Sequence, residues 1–256
     1  MMFIGGRFKA RLAETQEDVR ACQRLRFVAF MQSRGLMGDG TGLDTDEFDP
    51  HCRHMMVEDT RTGSLVCCFR MMPLSNGSEI LRSYSAKYYD LNALGDYPGK
   101  MVEMGRFCIH PESRDPAIIR VAWQAMTRFV DDEGVELLFG CSSFHGVDED
   151  AYMDAFALLK EKHLAPKRWL PRVKAPDVFR FAARLRRKPD AKKAMARMPP
   201  LLRTYLLMGG WVSDHAVLDP DLDRLHVFTG LATDTIPETR KARLRALAKA
   251  AQITSS

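Results

Sequence analysis

The run MVEMGRFCIH, Met101 to His110, is apolar enough to form a strand, yet it carries Glu103 and Arg106 in its interior. What surrounds it decides the fold class. Downstream, Pro116 to Asp132 gathers Ile119, Val121, Ala122, Ala125, Met126 and Phe129 on one helical side, and Val135 to Ser143 is a further apolar strand. Upstream, Arg7 to Ala13 alternates Phe8, Ala10 and Leu12 with polar neighbours. Thr15-Gln16-Glu17-Asp18 then reads as a capped helix start, and Val19, Cys22, Leu25 and Ala29 keep helical spacing until Gly35. His54 to Glu58 and Ser64 to Met71 flank the turn DTRTG, which predicts a hairpin. Strand, helix, hairpin, strand, helix, strand predicts an α/β fold around a mixed sheet.

Beyond this core the spacing predicts a helix over Asp148 to Lys162, strands at Leu206 to Val212 and Arg224 to Thr229, and a charged helix from Pro237. The chain has 256 residues, 46% of them hydrophobic and 28% charged, enough to bury a substantial core. The start MMFIGGRFKARLAE is too short in apolar residues for a signal peptide, and the longest later apolar run, YLLMGGWV from Tyr205, is too short to span a bilayer. A cytoplasmic chain is therefore expected. Six cysteines without a CxxC pair (Cys22, Cys52, Cys67, Cys68, Cys108 and Cys141) are expected to be reduced and mostly packed.

The net charge of +5 conceals an asymmetry, because residues 165–205 hold thirteen Lys/Arg against Asp177 and Asp190. A surface of that kind meets an anionic partner, for which nucleic acid, a phospholipid surface and an acidic protein are the ordinary choices. Within the segment, Asp177 to Lys188 places Val178, Phe181, Ala182 and Leu185 on one helical face and Arg180, Arg184 and Arg187 on another. Such a basic amphipathic helix either lies on an anionic membrane or packs on its own domain with a solvated basic face.

Three constellations offer chemistry. GCSSFHG, Gly140 to Gly146, brings a thiol, two hydroxyls and an imidazole together, but along a strand Cys141 and His145 stand about 13 Å apart, too far for a base to take the thiol proton. Phe144 also stands where the second glycine of a serine elbow belongs. His51, Cys52 and His54 are close together, but no second ligand pair matches them, so no metal site is expected. The third constellation combines Arg26, Arg70, Glu103 and Arg106 in core elements with an acidic loop of Asp44, Asp46, Glu47 and Asp49. Charges in core elements must be paired with one another or with a ligand. A zwitterionic substrate suits such a site, since arginines hold a carboxylate and the acidic loop an amine.

The runs LRFVAF, DTDEFDPHCRHMMVED, CCFRMMP, VEMGRFCIHPESR, LFGCSSFHG and MPPLLRTYLLMGGWVSDHAVLDPDLDRLHVF carry a resemblance to the bacterial ornithine N-acyltransferases, a branch of the GNAT superfamily. It covers most of residues 7 to 232. The first four runs also resemble acyl-homoserine lactone synthases, in whose pattern Arg26, Asp46, Asp49, Arg70, Glu103 and Arg106 match polar active-site positions; that family lacks the basic insert and the GCSSFHG strand end. The resemblance implies a GNAT-like acyltransferase fold, with a splayed mixed central sheet flanked by helices. Residues 1–164 are then the catalytic core, 165–205 a basic helical insert, and 206–256 the C-terminal strands and terminal helix.

It further implies transfer of a 3-hydroxyacyl group from acyl carrier protein, on its 4'-phosphopantetheine arm, to the α-amine of L-ornithine, giving lyso-ornithine lipid by direct attack. Glu103 is the first choice of general base, and Asp46 or Asp49 the second. Arg26, Asp44, Arg70 and Arg106 are expected to bind the acceptor. Cys108, Ile109, Ser142, Ser143 and His145 are expected along the acyl-pantetheine arm, which would enter between the strand of Glu103 and the strand ending at Ser143. Arg180, Phe181, Arg184, Leu185 and Arg187 are expected to meet the inner membrane or the carrier protein, with no role for nucleic acid. One departure bears on the donor. GNAT enzymes hold a coenzyme A diphosphate with a glycine-rich turn at a helix start, but here the run is Arg114-Asp115-Pro116-Ala117-Ile118-Ile119, without glycines and with a proline that has no amide hydrogen. The alternatives are an acyl-homoserine lactone synthase using S-adenosylmethionine and a non-catalytic acyl-carrier or membrane-binding module.

Overall fold

A computed structural model describes residues 2–32, 35, 40–239 and 241–242. In chain order its elements begin with β1 (Met2–Gly5), β2 (Phe8–Leu12), α1 (Gln16–Phe30), β3 (Arg53–Asp59), β4 (Leu65–Leu74), β5 (Tyr89–Asp90), β6 (Met101–Ile109), α2 (Ala117–Glu133) and β7 (Leu137–His145). There follow α3 (Met153–Lys162), β8 (Arg172–Val173), β9 (Val178–Phe179), α4 (Phe181–Arg184), α5 (Ala191–Arg197), α6 (Pro200–Leu207), β10 (Trp211–Val212), β11 (Ala216–Asp219) and β12 (Arg224–Ala232). The chain divides into two compact units, Met1–Pro73 with Met104–Gly134 and Glu238–Ser256, and Leu74–Glu103 with Val135–Pro237.

In the first unit β1, β2, β3 and β4 follow one another as antiparallel neighbours, and β4 adjoins β6. α1 starts where the sequence signals it: the Thr15 side chain accepts from the Asp18 amide at 3.1 Å, and the Asp18 carboxylate accepts from the Thr15 amide at 3.2 Å. Cys22 and Leu25 of α1 pack with Met56, Cys68 and Cys108 in a small core. α2 ends at Gly134, whose φ of 66° is the left-handed conformation that glycine adopts without steric cost.

The second unit is where the sheet becomes mixed. β6 runs parallel to β7 over Met101↔Leu137, Val102↔Leu138 and Glu103↔Phe139, whereas β7 is antiparallel to β12 from His145↔Arg224 to Leu137↔Ala232. β11 and β9 extend this ladder, β10 also pairs with β12, and β5 pairs with β8. Its core includes Phe144, Phe156, Phe179, Phe181, Leu202 and Val227.

Three expectations are corrected. Asp177 to Lys188 is not a long helix: Val178 and Phe179 form β9, and only Phe181–Arg184 turns helically. Phe181 is 0% and Leu185 9% exposed in the core, so neither can meet a membrane, and the apolar spacing is that of residues packing inward. Leu206 to Val212 is divided between the end of α6 and the two-residue β10. The helix read from Pro237 is described only at residues 238–239 and 241–242; the rest of that reading lies outside the described residues, as do residues 36–39 beside the acidic loop.

Candidate active site

The charged residues of the first unit converge. Arg26, projecting from α1 with 1% exposure, donates to Asp49 through Nη1 (2.8 Å) and Nη2 (2.7 Å) and to the Asp44 backbone oxygen. Arg70 on β4 donates to Asp46 at 2.5 and 2.7 Å and to Asp49 at 2.6 Å. Arg106 on β6 reaches Asp46 Oδ2 at 3.2 Å. Asp44 Oδ2 lies 2.9 Å from Arg26 Nε and 3.2 Å from Arg106 Nε, at ionic distance but off the line of a hydrogen bond. Gln23 adds a donor to Asp49 at 2.9 Å, and the ring of His54 contacts the Asp49 backbone oxygen at 3.1 Å. Three aspartates thus meet three arginines, and their formal charges cancel.

Burial pushes the Asp46 carboxyl up, but the hydrogen bond and charge of Arg70 and the charge of Arg106 outweigh it, leaving Asp46 below its ordinary value. Asp49 follows the same balance, with Arg26 as its main counterweight. Both are therefore anions with little affinity for a proton at neutral pH. Arg106 also has φ of 53°, a left-handed conformation uncommon for a residue with a side chain. It and Asp46 are the least buried members of the cluster.

Glu103 lies in the second unit, where two backbone amides and a hydroxyl donate to it. Oε2 accepts from the Tyr84 amide at 2.8 Å, and Oε1 accepts from the Ser85 amide at 2.7 Å and the Ser85 hydroxyl at 2.5 Å. Those donors come from the start of a 3-10 turn, Ser85–Lys87. The Ser85 hydroxyl is also 3.5 Å from Cys141 Sγ on β7, so Glu103, Ser85 and Cys141 form a chain of contacts. Burial pushes the Cys141 thiol up to about 12, opposed by Ser85 and reinforced by the charge of Glu103. A thiol protonated at neutral pH is a poor nucleophile.

The GCSSFHG stretch divides by strand alternation. Cys141, Ser143 and His145 share one face, on which Ser143 is exposed and His145 is 71% exposed by its side chain; His145 Nδ1 is 3.9 Å from Asp223. Ser142 and Phe144 point to the buried side, where the Ser142 hydroxyl accepts from Thr229 at 2.9 Å. Ser142, expected along a pantetheine arm, thus lies on the packed side of β7. Cys108, expected there too, is buried in the core of the first unit, 3.5 Å from Cys68 Sγ. Ile109 is half-buried.

Sequence reading missed the partners that frame this part of the second unit. Arg224 donates to the Tyr84 hydroxyl at 2.7 Å and to Asp219 at 2.9 Å, and the Tyr84 hydroxyl donates to Tyr88 at 3.2 Å. The Tyr89 hydroxyl donates to the His226 backbone oxygen at 2.8 Å. The available signal was Arg224 and His226 at a spacing of two in the otherwise apolar strand RLHVFTGLA, opposite His145 and Ser143 in the ladder.

Comparison with known proteins agrees with the α/β reading. A family model described as an acetyltransferase (GNAT) domain matches residues 25–124. A computed comparison with solved structures finds a CoA-dependent acyl-homoserine lactone synthase at 15% identity and a TM-score of 0.49, covering 95% of this chain and 90% of that one. An L-ornithine N(alpha)-acyltransferase of Brucella abortus is 30% identical over 247 residues, covering 90% of this chain and 86% of its own. Another L-ornithine N(alpha)-acyltransferase, from Rhodobacter capsulatus, is 31% identical over 243 residues, covering 91% of this chain and 93% of its own. The protein is an acyltransferase with a GNAT fold, and it belongs to the L-ornithine N(alpha)-acyltransferase family.

Proposed function

We propose that the chain moves a 3-hydroxyacyl group from acyl carrier protein to the α-amine of L-ornithine, forming lyso-ornithine lipid without a covalent enzyme intermediate. Family membership supports the acceptor. The observation that carries the chemistry is Glu103, held by two amides and a hydroxyl beside a thiol that stays protonated. Asp46 and Asp49, held as anions by arginines, are weaker candidates for the base.

An α-amine titrates near pH 7.7 to 8.0, so its uncharged form is available near neutrality. Its nitrogen attacks the thioester carbonyl carbon, forming the C–N bond and a tetrahedral oxyanion. Glu103 takes the nitrogen's proton, directly or through water. The C–S bond then breaks, and the proton passes to the departing sulfur of the phosphopantetheine arm, leaving an amide and a free thiol. Ser143 and His145, on the open face of β7, line the arm. Arg26, Asp44 and Arg70 hold the loop that carries Asp46.

The start of α2 supports a carrier protein over coenzyme A as donor. Pro116 has no amide hydrogen, and the Asp115 carboxylate already accepts from the Ala117 amide at 2.9 Å, placing negative charge where a diphosphate would need donors. The test is product mass after incubation with 3-hydroxyacyl carrier protein or 3-hydroxyacyl-coenzyme A and ornithine, lysine, glutamine or S-adenosylmethionine. The expected product is the ornithine amide, made faster from the carrier protein. A lactone, or transfer from coenzyme A alone, overturns the assignment.

A further inference from the structure

The basic segment now has a surface to go with its charge. α4 and α5 both pack on α3, burying Phe181, Leu185, Ala194 and Met198 in the core of the second unit. Their apolar sides are therefore used up, and their outward sides are cationic. Arg180, Arg184, Arg186, Lys188, Lys192 and Arg197 are all exposed. None of these six has an acidic partner among the described residues. The nearby acids are committed elsewhere: Asp154 accepts from Arg187 at 2.7 Å and from the Asp190 amide at 3.0 Å, while Asp190 caps α5 through the Lys193 amide. The segment also lies outside residues 25–124, the part that matches the general acetyltransferase domain, so its charge is additional to that domain.

Concentrated like charge repels itself and is stabilised when an anionic surface is brought against it. A helix that lies on a bilayer supplements charge with an inserted apolar face. Here Phe181 and Leu185, the residues that would supply that face, are inside the core. What remains is a rigid surface of guanidinium and ammonium groups over packed helices, suited to carboxylates displayed by a folded partner.

We propose that the outer face of α4, the turn over residues 186–190 and α5 is the docking surface for the acidic acyl carrier protein. This rests on the donor assignment made above. Docking there acts on carrier affinity and leaves the chemical step alone, because the charges touch the carrier's surface and not the thioester.

The test compares two donors in the full-length protein carrying Arg184→Glu, Lys192→Glu and Arg197→Glu. With 3-hydroxyacyl carrier protein, KM should rise about tenfold or more at unchanged kcat, since like charges now face the carrier. With the matching 3-hydroxyacyl pantetheine thioester, which has no protein surface, both constants should stay as in the wild type. If the triple glutamate variant does not fold, as judged by its thermal melt, the same three positions changed to glutamine should show the same pattern at smaller size. An unchanged carrier KM overturns the inference. Equal losses with both donors overturn it too, because the residues would then support the site itself. Loss of sedimentation with phosphatidylglycerol vesicles at unchanged carrier KM assigns the surface to a bilayer instead. A wild-type enzyme that uses the pantetheine thioester but not the carrier protein sinks the donor assignment, a result distinct from a variant that spares carrier KM.

Discussion

In the first unit, Arg26, Arg70 and Arg106 bury the charges of Asp44, Asp46 and Asp49 by direct pairing; in the second, Glu103 is held by the amides of Tyr84 and Ser85 and the Ser85 hydroxyl. The two devices have different consequences. An arginine that neutralises a carboxylate fixes its charge state and position, making it a structural part. At Glu103 two backbone amides and a hydroxyl fix the position of the carboxylate. Residues that are alike in the sequence, acids next to buried strands, thus meet different donors.

The largest effect should come from opening the charge cluster. Arg26→Ala leaves Asp49 and Asp44 buried without their main counterion, and stability should fall by about 3–5 kcal/mol in urea denaturation. A loss below about 1 kcal/mol would mean that the cluster is not the structural device described here.

A smaller effect follows from pH. The folded pKa values of Asp46 and Asp49 lie below their ordinary value of 3.8. Their contribution to stability is therefore fully present above the unfolded value and is lost as pH falls from there through the folded values. The urea midpoint should drop between pH 5 and pH 3, each at about 0.1 M salt, and the drop should be shallower in a folded Asp46→Asn protein. An equal drop in both proteins would show that other groups govern acid sensitivity.

The smallest effect is expected at the thiol. Cys141→Ala removes a group that is protonated at neutral pH, so turnover should stay near the wild-type rate, and quenched reactions should show no acyl group on the protein. Acyl mass trapped on Cys141 would restore covalent catalysis and erase the contrast between the two units.

Regular elements of the core were legible because their periodicity is local: the Thr15 capping box, the DTRTG hairpin and the strand–helix–strand run from Met101 to Ser143 all stand close to where they were expected. The basic segment misled because Val178, Phe181, Ala182 and Leu185 satisfy helical spacing, while the pairing of Val178 and Phe179 with Val217 and Ala216 is a contact distant in sequence. Leu206 to Val212 read as a strand because an apolar run has no phase of its own; Pro200 at the first helical position and Gly209 after the last turn were the better signals. At the site, the cost of unpaired buried charge signalled that Arg26, Arg70, Glu103 and Arg106 would be paired with one another or with a ligand, but not that the three arginines would pair with the acidic loop. The donors to Glu103 could not be anticipated, since Tyr84 and Ser85 stand at the start of the short 3-10 turn Ser85–Lys87 between β4 and β6, where no periodicity marks which backbone amides face inward.

The contrast between the units rests on Glu103 more than on any other residue. Glu103→Gln keeps the shape and one acceptor oxygen but removes the base and turns an NH2 group towards a backbone donor, at a stability cost of about 1–3 kcal/mol. The decisive measurement is the single-turnover rate of amide formation from 3-hydroxyacyl carrier protein and saturating ornithine, in variant protein shown by its thermal melt to be folded. A rate lowered by about 10²-fold or more assigns Glu103 to proton transfer. A rate within twofold of the wild type would make Glu103 an anchor for the Tyr84–Ser85 turn and leave the reaction without the base assigned to it.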